Sequence, residues 1–305
     1  MRKIILLASF LVYYGVINAQ QLHMMSQYIQ HNSLYNPAAA GFSENPVIGI
    51  SYRNMWSSFP GNPITMMLYG DTRWDKKKSG MAGYIYKDQT GPTSRTGMQL
   101  AYSYHVKTGE KSHLGLGLEI TGLQYAIDRS KLAESLGTND PAIMGSGNSF
   151  IIDGGAGAYY SNGRLSLGAS ISQLIQSKLN LSKLVPNATE RAKLYNQYYF
   201  SGSYVIPTGD NINLIPNCMS TVVPHAPTEF EFGCKLDYQQ KIWWGLNWRI
   251  RQFWSIQAGF KLFNRLSLAY CYDYYTSPFS DYNSGNNAHE IGLRFELPKK
   301  NKAGK

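Results

Sequence analysis

Residues 97–107 read Gly-Met-Gln-Leu-Ala-Tyr-Ser-Tyr-His-Val-Lys, and residues 113–121 read His-Leu-Gly-Leu-Gly-Leu-Glu-Ile-Thr. In the first stretch Met98, Leu100, Tyr102, Tyr104 and Val106 share one face, against Gln99, Ala101, Ser103, His105 and Lys107 on the other. In the second, Leu114, Leu116, Leu118 and Ile120 oppose His113, Gly115, Gly117, Glu119 and Thr121. A strand sends successive side chains to opposite faces. Alternation sustained over about ten residues is the pattern of a tilted membrane strand with one lipid face and one lumen face.

The pattern continues outward in both directions. In the carboxyl half Phe230, Phe232, Cys234, Leu236 and Tyr238 oppose Glu229, Glu231, Gly233, Lys235 and Asp237. Ile242 to Ile250, Trp254 to Leu262, Leu266 to Tyr274 and Ile291 to Leu297 alternate in the same way, with Trp243 the one residue out of phase. A soluble sandwich also alternates, but such long apolar faces on nearly every strand would leave a large exposed belt in water. The count is about fourteen strands, an even number as bacterial barrels require. They are expected at 46–54, 64–74, 79–87, 95–107, 111–127, 149–160, 163–174, 194–206, 211–223, 228–239, 241–250, 252–263, 265–275 and 288–297. Residues 194–223 carry the weakest pattern, because Pro207 and Pro216 interrupt it and proline cannot donate to a ladder. The expected fold is therefore all-β, a transmembrane antiparallel barrel.

Connections alternate in length. Asp75 to Lys78, Thr108 to Glu110, Ser161 to Gly163, Gln239 to Gln240 and Phe263 to Asn264 are tight, while Asp128 to Asn148, Gln176 to Lys193 and Ser277 to Asn287 are long. Short turns face the periplasm in such barrels and long loops face outward. Lys87 to Thr93, with Gly91-Pro92 at its centre, reads as an outward hairpin and a candidate contact loop.

The amino terminus sets the compartment. Arg2 and Lys3 precede an apolar run from Ile4 to Ile17, and Ala19 closes a cleavage site. That run is short for a membrane helix and reads as a signal peptide over residues 1–19. No cysteine lies near the cut, so the lipoprotein route is not expected. Loss of Arg2 and Lys3 lowers the formal net charge from +10 to +8. The charges are scattered, with no stripe suited to nucleic acid, and fit an acidic protein partner or anionic headgroups. Cys218, Cys234 and Cys271 make an odd count, with Cys234 and Cys271 on opposite strand faces, so no disulfide framework is expected. Residues 46–297 form the barrel in this reading, and 298–305 a basic tail.

Residues 20–45 precede the first strand. They carry Leu22, Met24, Met25, Tyr28, Ile29, Leu34, Tyr35 and Phe42 with a single charge, Glu44. A solvated leader would be richer in charge. The segment either fills the lumen as a plug or docks on a periplasmic partner.

Catalytic and metal-binding arrangements do not emerge. Ser103, His105 and Asp128 contain the residue types of a hydrolase triad, yet no motif orders them, and they read as lumen-lining hydrogen-bonding groups. His289 and Glu290 are adjacent on a strand and point to opposite faces. No cofactor and no metal are expected. The lumen-facing Gly117 and Ser267 are expected to accept polar substitutions.

With these residues laid out, the chain resembles the PorP/SprF family of type IX secretion system outer-membrane proteins over essentially its mature length. Ser26-Gln27-Tyr28 and Asn36-Pro37-Ala38-Ala39-Ala40-Gly41 resemble the family's opening. Tyr52-Arg53-Asn54 with Trp56, then Pro60-Gly61 and Pro63, resemble its first hairpin. Gly91-Pro92-Thr93, Tyr272-Asp273-Tyr274 and His289-Glu290-Ile291 resemble later blocks. The resemblance implies an outer-membrane barrel working with periplasmic ring and motor subunits in protein secretion, gliding included. Some relatives serve secretion at large, and others export or anchor one large surface adhesin. Candidate partner contacts are Ser26, Gln27, Tyr28, Tyr35, Asn36, Pro37, Tyr52, Arg53, Asn54, Trp56, Gly91 and Pro92. The alternative is a fatty-acid-transporter-like barrel for hydrophobic small molecules, which Asn36-Pro37-Ala38 permits. Against it stands the lack of a plug domain, since only Gln20 to Asn45 is available.

Overall fold

The computed structural model describes residues 25–27, 31–43, 45–57, 59–74, 77–135, 137, 146–180, 191–277, 280 and 287–298. The expected signal peptide, Tyr28 and nearly all of the basic tail lie outside these residues.

Strands β1 (Val47–Met55), β2 (Ile64–Trp74), β3 (Ser79–Thr90), β4 (Thr93–Lys107), β5 (His113–Asp128), β6 (Ser146–Ser161) and β7 (Leu165–Ser172) run up and down in sequence. A long connection follows, carrying the hairpin β8 (Lys178–Asn180) and β9 (Arg191–Lys193). The wall resumes with β10 (Gln197–Tyr204), the two-residue β11 (Ile206–Pro207) and β12 (Ile212–Val222). It finishes with β13 (Glu229–Tyr238), β14 (Ile242–Arg249), β15 (Phe253–Leu262), β16 (Leu266–Tyr275) and β17 (Ala288–Glu296).

Each strand pairs antiparallel with its neighbours, and β1 pairs with β17 from Val47↔Glu296 to Met55↔Ala288. β10 pairs with both β7 and β12. The result is a closed antiparallel barrel of 14 strands. Closure gives each wall strand a partner on both sides and leaves no open edge, the condition for a sheet in lipid.

The alternation sorts the faces as expected. Leu100, Leu118, Ile120, Trp244 and Ile256 point outward and more than half exposed, while Gln99, Ser103, Glu119, Asn247 and Gln257 are buried inside. Outward aromatics gather at both ends. Trp248 and Trp254 stack at 5.4 Å beside Tyr274 at one end, and Trp74, Tyr104, Tyr204 and Tyr238 lie toward the other. Such girdles mark the two membrane interfaces.

Trp243 is out of phase for a reason. Its side chain turns into the lumen and lies over Gly259, its direct cross-strand partner, with Lys235 Nζ 5.0 Å from the ring. Tyr69 covers its partner Gly49 and Tyr86 covers Gly97 in the same manner. An aromatic ring laid across a glycine restores the packing that the missing side chain forfeits.

Three expectations change. β3 and β4 extend to a two-residue Gly91-Pro92 turn, with Gly91 at φ 54, where the sequence suggested a seven-residue loop. A glycine with positive φ at the first central position suits a tight hairpin. The long loop after β5 begins with a short helix, Arg129–Ser135. The loop after β7 is not irregular throughout, because the β8–β9 hairpin packs Leu179 beside Ile151 and Leu194. Pro216 lies within β12, and the ladder to the β10 side is interrupted there, between Ser203↔Asn217 and Ile206↔Leu214. A proline offers no N–H to bridge that gap.

The tight turns Gln239-Gln240 and Phe263-Asn264 lie at the same end as Val47 and Glu296, and the long connections after β5, β7 and β16 lie at the other, together with the tight Gly91-Pro92 turn. The former end is the periplasmic one by the general rule for such barrels.

Candidate functional site

The lumen is filled by the chain's own amino-terminal segment. Residues 36–41 lie against a shelf of glycines on the wall. A side chain at Gly117 or Gly115 would collide with the Ala38 backbone, and one at Gly80 with the Ala40 carbonyl. The Asn36 amide sits against Gly157 in the same way. Glycines on the wall and alanines on the plug let the two backbones approach closely. Polar wall residues complete the seat. Ser103 Oγ donates to Ala38 O at 2.9 Å, and His105 Nε2 lies 2.8 Å from Ala40 O. The Gly41 amide donates to Asp71 at 3.0 Å. Asn36 caps the turn at Pro37–Ala39 by accepting from the Ala38 amide at 2.9 Å, and donates to Ala158 O at 3.0 Å. Phe42 packs between His105 and Tyr159 at 4.5 and 4.9 Å.

The upstream end of the segment is held by charge. Arg53 is fully buried and reaches Asp273 at 2.6 Å and Glu290 at 3.2 Å. Ser26 sits in the same cluster. Its amide donates to Glu290 at 2.8 Å, its hydroxyl donates to Asp273 at 2.7 Å, and Gln257 donates to its carbonyl at 2.8 Å. Taking an arginine and two carboxylates out of water is costly, and only dense hydrogen bonding of the kind seen here offsets it. A second buried pair, Arg249 with Glu231 at 2.8 Å, lines the wall beyond it.

Below the plug a polar vestibule of about 340 Å³ opens toward the periplasmic end. Lys235, Asp237, Lys261, Arg294, Glu296 and Asp71 line it, with Lys261 paired to Glu296 at 2.8 Å. Above the plug, Leu34, Tyr35, Tyr84, Tyr86 and Tyr199 enclose a space of about 70 Å³.

The sequence candidates separate into groups. Ser26, Gln27, Asn36, Pro37 and Arg53 are buried in the lumen, and Tyr35 lies there too, its ring 5.3 Å from Tyr199. Tyr52 faces the lipid side. Asn54 and Trp56 stand near the outer rim, where Asn54 accepts from Asn62 and Trp56 packs 6.0 Å from Tyr275. Gly91 donates to Gly61 O at 2.7 Å, joining two outer turns, and Pro92 accepts from the Asp128 amide at 2.8 Å. Ser103 and His105 point at the plug backbone. Asp128 is at the far end of β5 from their partners Gly117 and Gly115, on the order of 35 Å away at ~3.3 Å per residue. The triad types never meet. Asp273, Glu290, Gln257 and Asp71 were missed as a set. Their lumen phase was readable, but their common partner was not. Gly117, expected to accept polar substitutions, cannot, because the plug occupies its space.

A closed barrel with an apolar belt, aromatic girdles and a filled polar lumen is an outer-membrane β-barrel. The chain belongs to the family of type IX secretion system membrane proteins PorP/SprF, whose model matches residues 17–295. It is an outer-membrane barrel of that secretion system. No curated protein matches the chain. Among solved structures it is similar to the CymD monoaromatic hydrocarbon channel, at TM-score 0.52 and 10% identity over 90% of this chain and 94% of that one. It is also similar to a FadL homologue of Pseudomonas aeruginosa, at TM-score 0.48 and 11% identity over 86% and 93%. Acinetobacter baumannii Omp33 matches at TM-score 0.48 and 7% identity over 83% and 98%. Identities this low speak to fold alone.

Proposed function

We propose that this barrel serves protein export, or the anchoring of an exported adhesin, by binding other secretion components and not by conducting cargo through its lumen. The observation that carries this is the plug. Residues 36–41 meet the wall backbone to backbone at Gly80, Gly115 and Gly117, and Ser26 is tied into a buried ion cluster. Among the described residues, spaces of about 340 and 370 Å³ lie on the periplasmic side of that segment and one of about 70 Å³ on the other, so the segment stands across the way of a polypeptide. The partners in this reading are periplasmic ring and motor subunits of the secretion system, with a large surface adhesin as cargo or ligand. Catalysis has no part in it.

The transporter alternative keeps one argument. The case against it from a missing plug does not stand, since the short amino-terminal segment fills the lumen. In its favour is the tyrosine-lined space above the plug. Against it, most of the lumen is polar and carries buried charges, a poor route for a hydrophobic solute. A deletion strain decides between them. Lost secretion with normal growth on long-chain fatty acid supports the secretion role. Normal secretion with impaired growth on that carbon source overturns it.

A further inference from the structure

The net positive charge of the molecule is unevenly placed. Of the short turns, β2–β3 carries Lys77 and Lys78, and β4–β5 is flanked by Lys107 and Lys111. Arg164, Lys241 and Arg265 stand one each on the β6–β7, β13–β14 and β15–β16 turns. All seven are exposed, and among the described residues none forms an ion pair. In sequence these turns carry two acidic residues, Asp75 and Glu110, and the β11–β12 turn adds Asp210. The outer connections differ in carrying both signs, as in the loop after β5, where Asp128 and Glu134 stand with Arg129 and Lys131. The basic turns encircle the mouth of the vestibule, whose own charges are internally matched by Lys261 with Glu296 and Lys235 with Asp237. Beside that mouth Phe263 projects from its turn 87% exposed.

We propose that the periplasmic mouth, a ring of unpaired basic turns around a polar vestibule, docks an acidic segment of a periplasmic protein. The inference deepens the secretion reading and rests on it. Two sources of negative charge exist at this surface, phospholipid headgroups and protein carboxylates. Headgroups reach the outer circumference of a barrel but not its axis. The vestibule lies on the axis, roofed by Phe42 and Ala39 of the plug and lined by hydrogen-bonding groups such as Gln240 and Ser267. A concave polar centre inside a cationic rim is complementary to a protein segment that bears carboxylates and enters the mouth. Long-range attraction by the rim would speed and orient the encounter, and salt would weaken it.

The test uses the full barrel in phosphatidylcholine nanodiscs, with assembly checked by heat-modifiable gel mobility. The probe is a fluorescent peptide of mixed Asp and Glu, with a Lys peptide of equal length as control. The triple variant Lys111→Glu, Lys241→Glu, Arg265→Glu should bind the acidic probe at least tenfold more weakly than the native barrel. The charge-preserving variant Lys111→Arg, Lys241→Arg, Arg265→Lys should bind it normally. A bulky maleimide on Ser267→Cys, inside the vestibule, should also weaken binding tenfold. Equal binding by the reversed and native barrels overturns the proposal. So does an effect of the reversal confined to nanodiscs containing phosphatidylglycerol, which would assign the rim to lipid. Each variant is then returned to a deletion strain. If the deletion itself leaves secretion intact, the secretion reading fails. If deletion abolishes secretion while the assembled triple variant restores it fully, the docking inference alone fails.

Discussion

Arg53 Nη2 lies 2.6 Å from Asp273 Oδ2, both side chains fully buried, across strands β1 and β16 that are not neighbours in the wall. Strand β17 stands between them and contributes Glu290 to the same cluster. The pair spans the lumen side of the seam where first and last strands close, and Ser26 of the plug completes it. One cluster thus ties closure of the barrel to seating of the plug.

Removing one member of this cluster leaves buried charge uncompensated. Arg53→Ala should destabilise the barrel by about 3–5 kcal/mol, the usual cost of breaking a buried pair. The triple change Arg53→Met, Asp273→Asn, Glu290→Gln should cost less than Arg53→Ala alone, since no net charge stays buried. Urea midpoints of the purified barrel, read by heat-modifiable mobility, order the variants. A triple variant less stable than the single one contradicts this account.

The glycine shelf makes a sharper test. Gly117→Ala should unseat residues 36–41 and expose the segment to protease, with a stability loss of about 1–3 kcal/mol from overpacking. Gly245→Ala is the control, because its added methyl would find its nearest neighbour at an ordinary 3.7 Å. Limited proteolysis of the folded barrel should cut the first variant in this segment and spare the second. Equal resistance of both would show that the plug does not depend on the shelf.

The lipid face carries its own prediction. Leu118 points outward at 67% exposure, and an arginine there should cost about 2–4 kcal/mol if it lies near the bilayer midplane. Ser267, which faces the polar vestibule, should accept lysine with assembly unchanged. Similar assembly of Leu118→Arg and Ser267→Lys would remove the assignment of faces.

The plug closes the lumen, so its loss should open it. Deleting residues 25–43 should raise single-channel conductance in planar bilayers severalfold while the wall still assembles. The point substitution Tyr35→Ala removes the ring that meets Tyr199 and the hydroxyl that accepts from the Met25 amide. It should lower heat resistance, with secretion falling only in proportion to barrel abundance. A secretion defect in a fully stable Tyr35→Ala barrel would instead favour docking of the segment on a partner.

The wall was legible because its signal is local. Period-two alternation depends only on pleat geometry, so Met98 to Val106 and Leu114 to Ile120 declare their lipid face without knowledge of any partner strand. The even count, the short turns at Gln239-Gln240 and Phe263-Asn264 and the inward phase of His105, Asp273 and Glu290 followed from the same periodicity. Even the exception was visible, though its cause was not. Trp243 breaks phase because Gly259 stands opposite and offers its surface to the ring.

Only the tertiary structure decided what the lumen holds. Ser26, Arg53, Asp273 and Glu290 come from both ends of the chain, and nothing in local pattern pairs residues 264 positions apart. Their meeting requires the barrel to close β1 on β17, which gathers the inward side chains of non-adjacent strands around one axis. The same closure gives Gly80, Gly115, Gly117 and Gly157 a common purpose. Along the strands they read as gaps in the polar face, and in three dimensions they form the floor on which Asn36 to Gly41 rests. A sequence states which side of the sheet each residue faces. What it meets across a lumen is set by curvature and register, and these exist only once the sheet has closed.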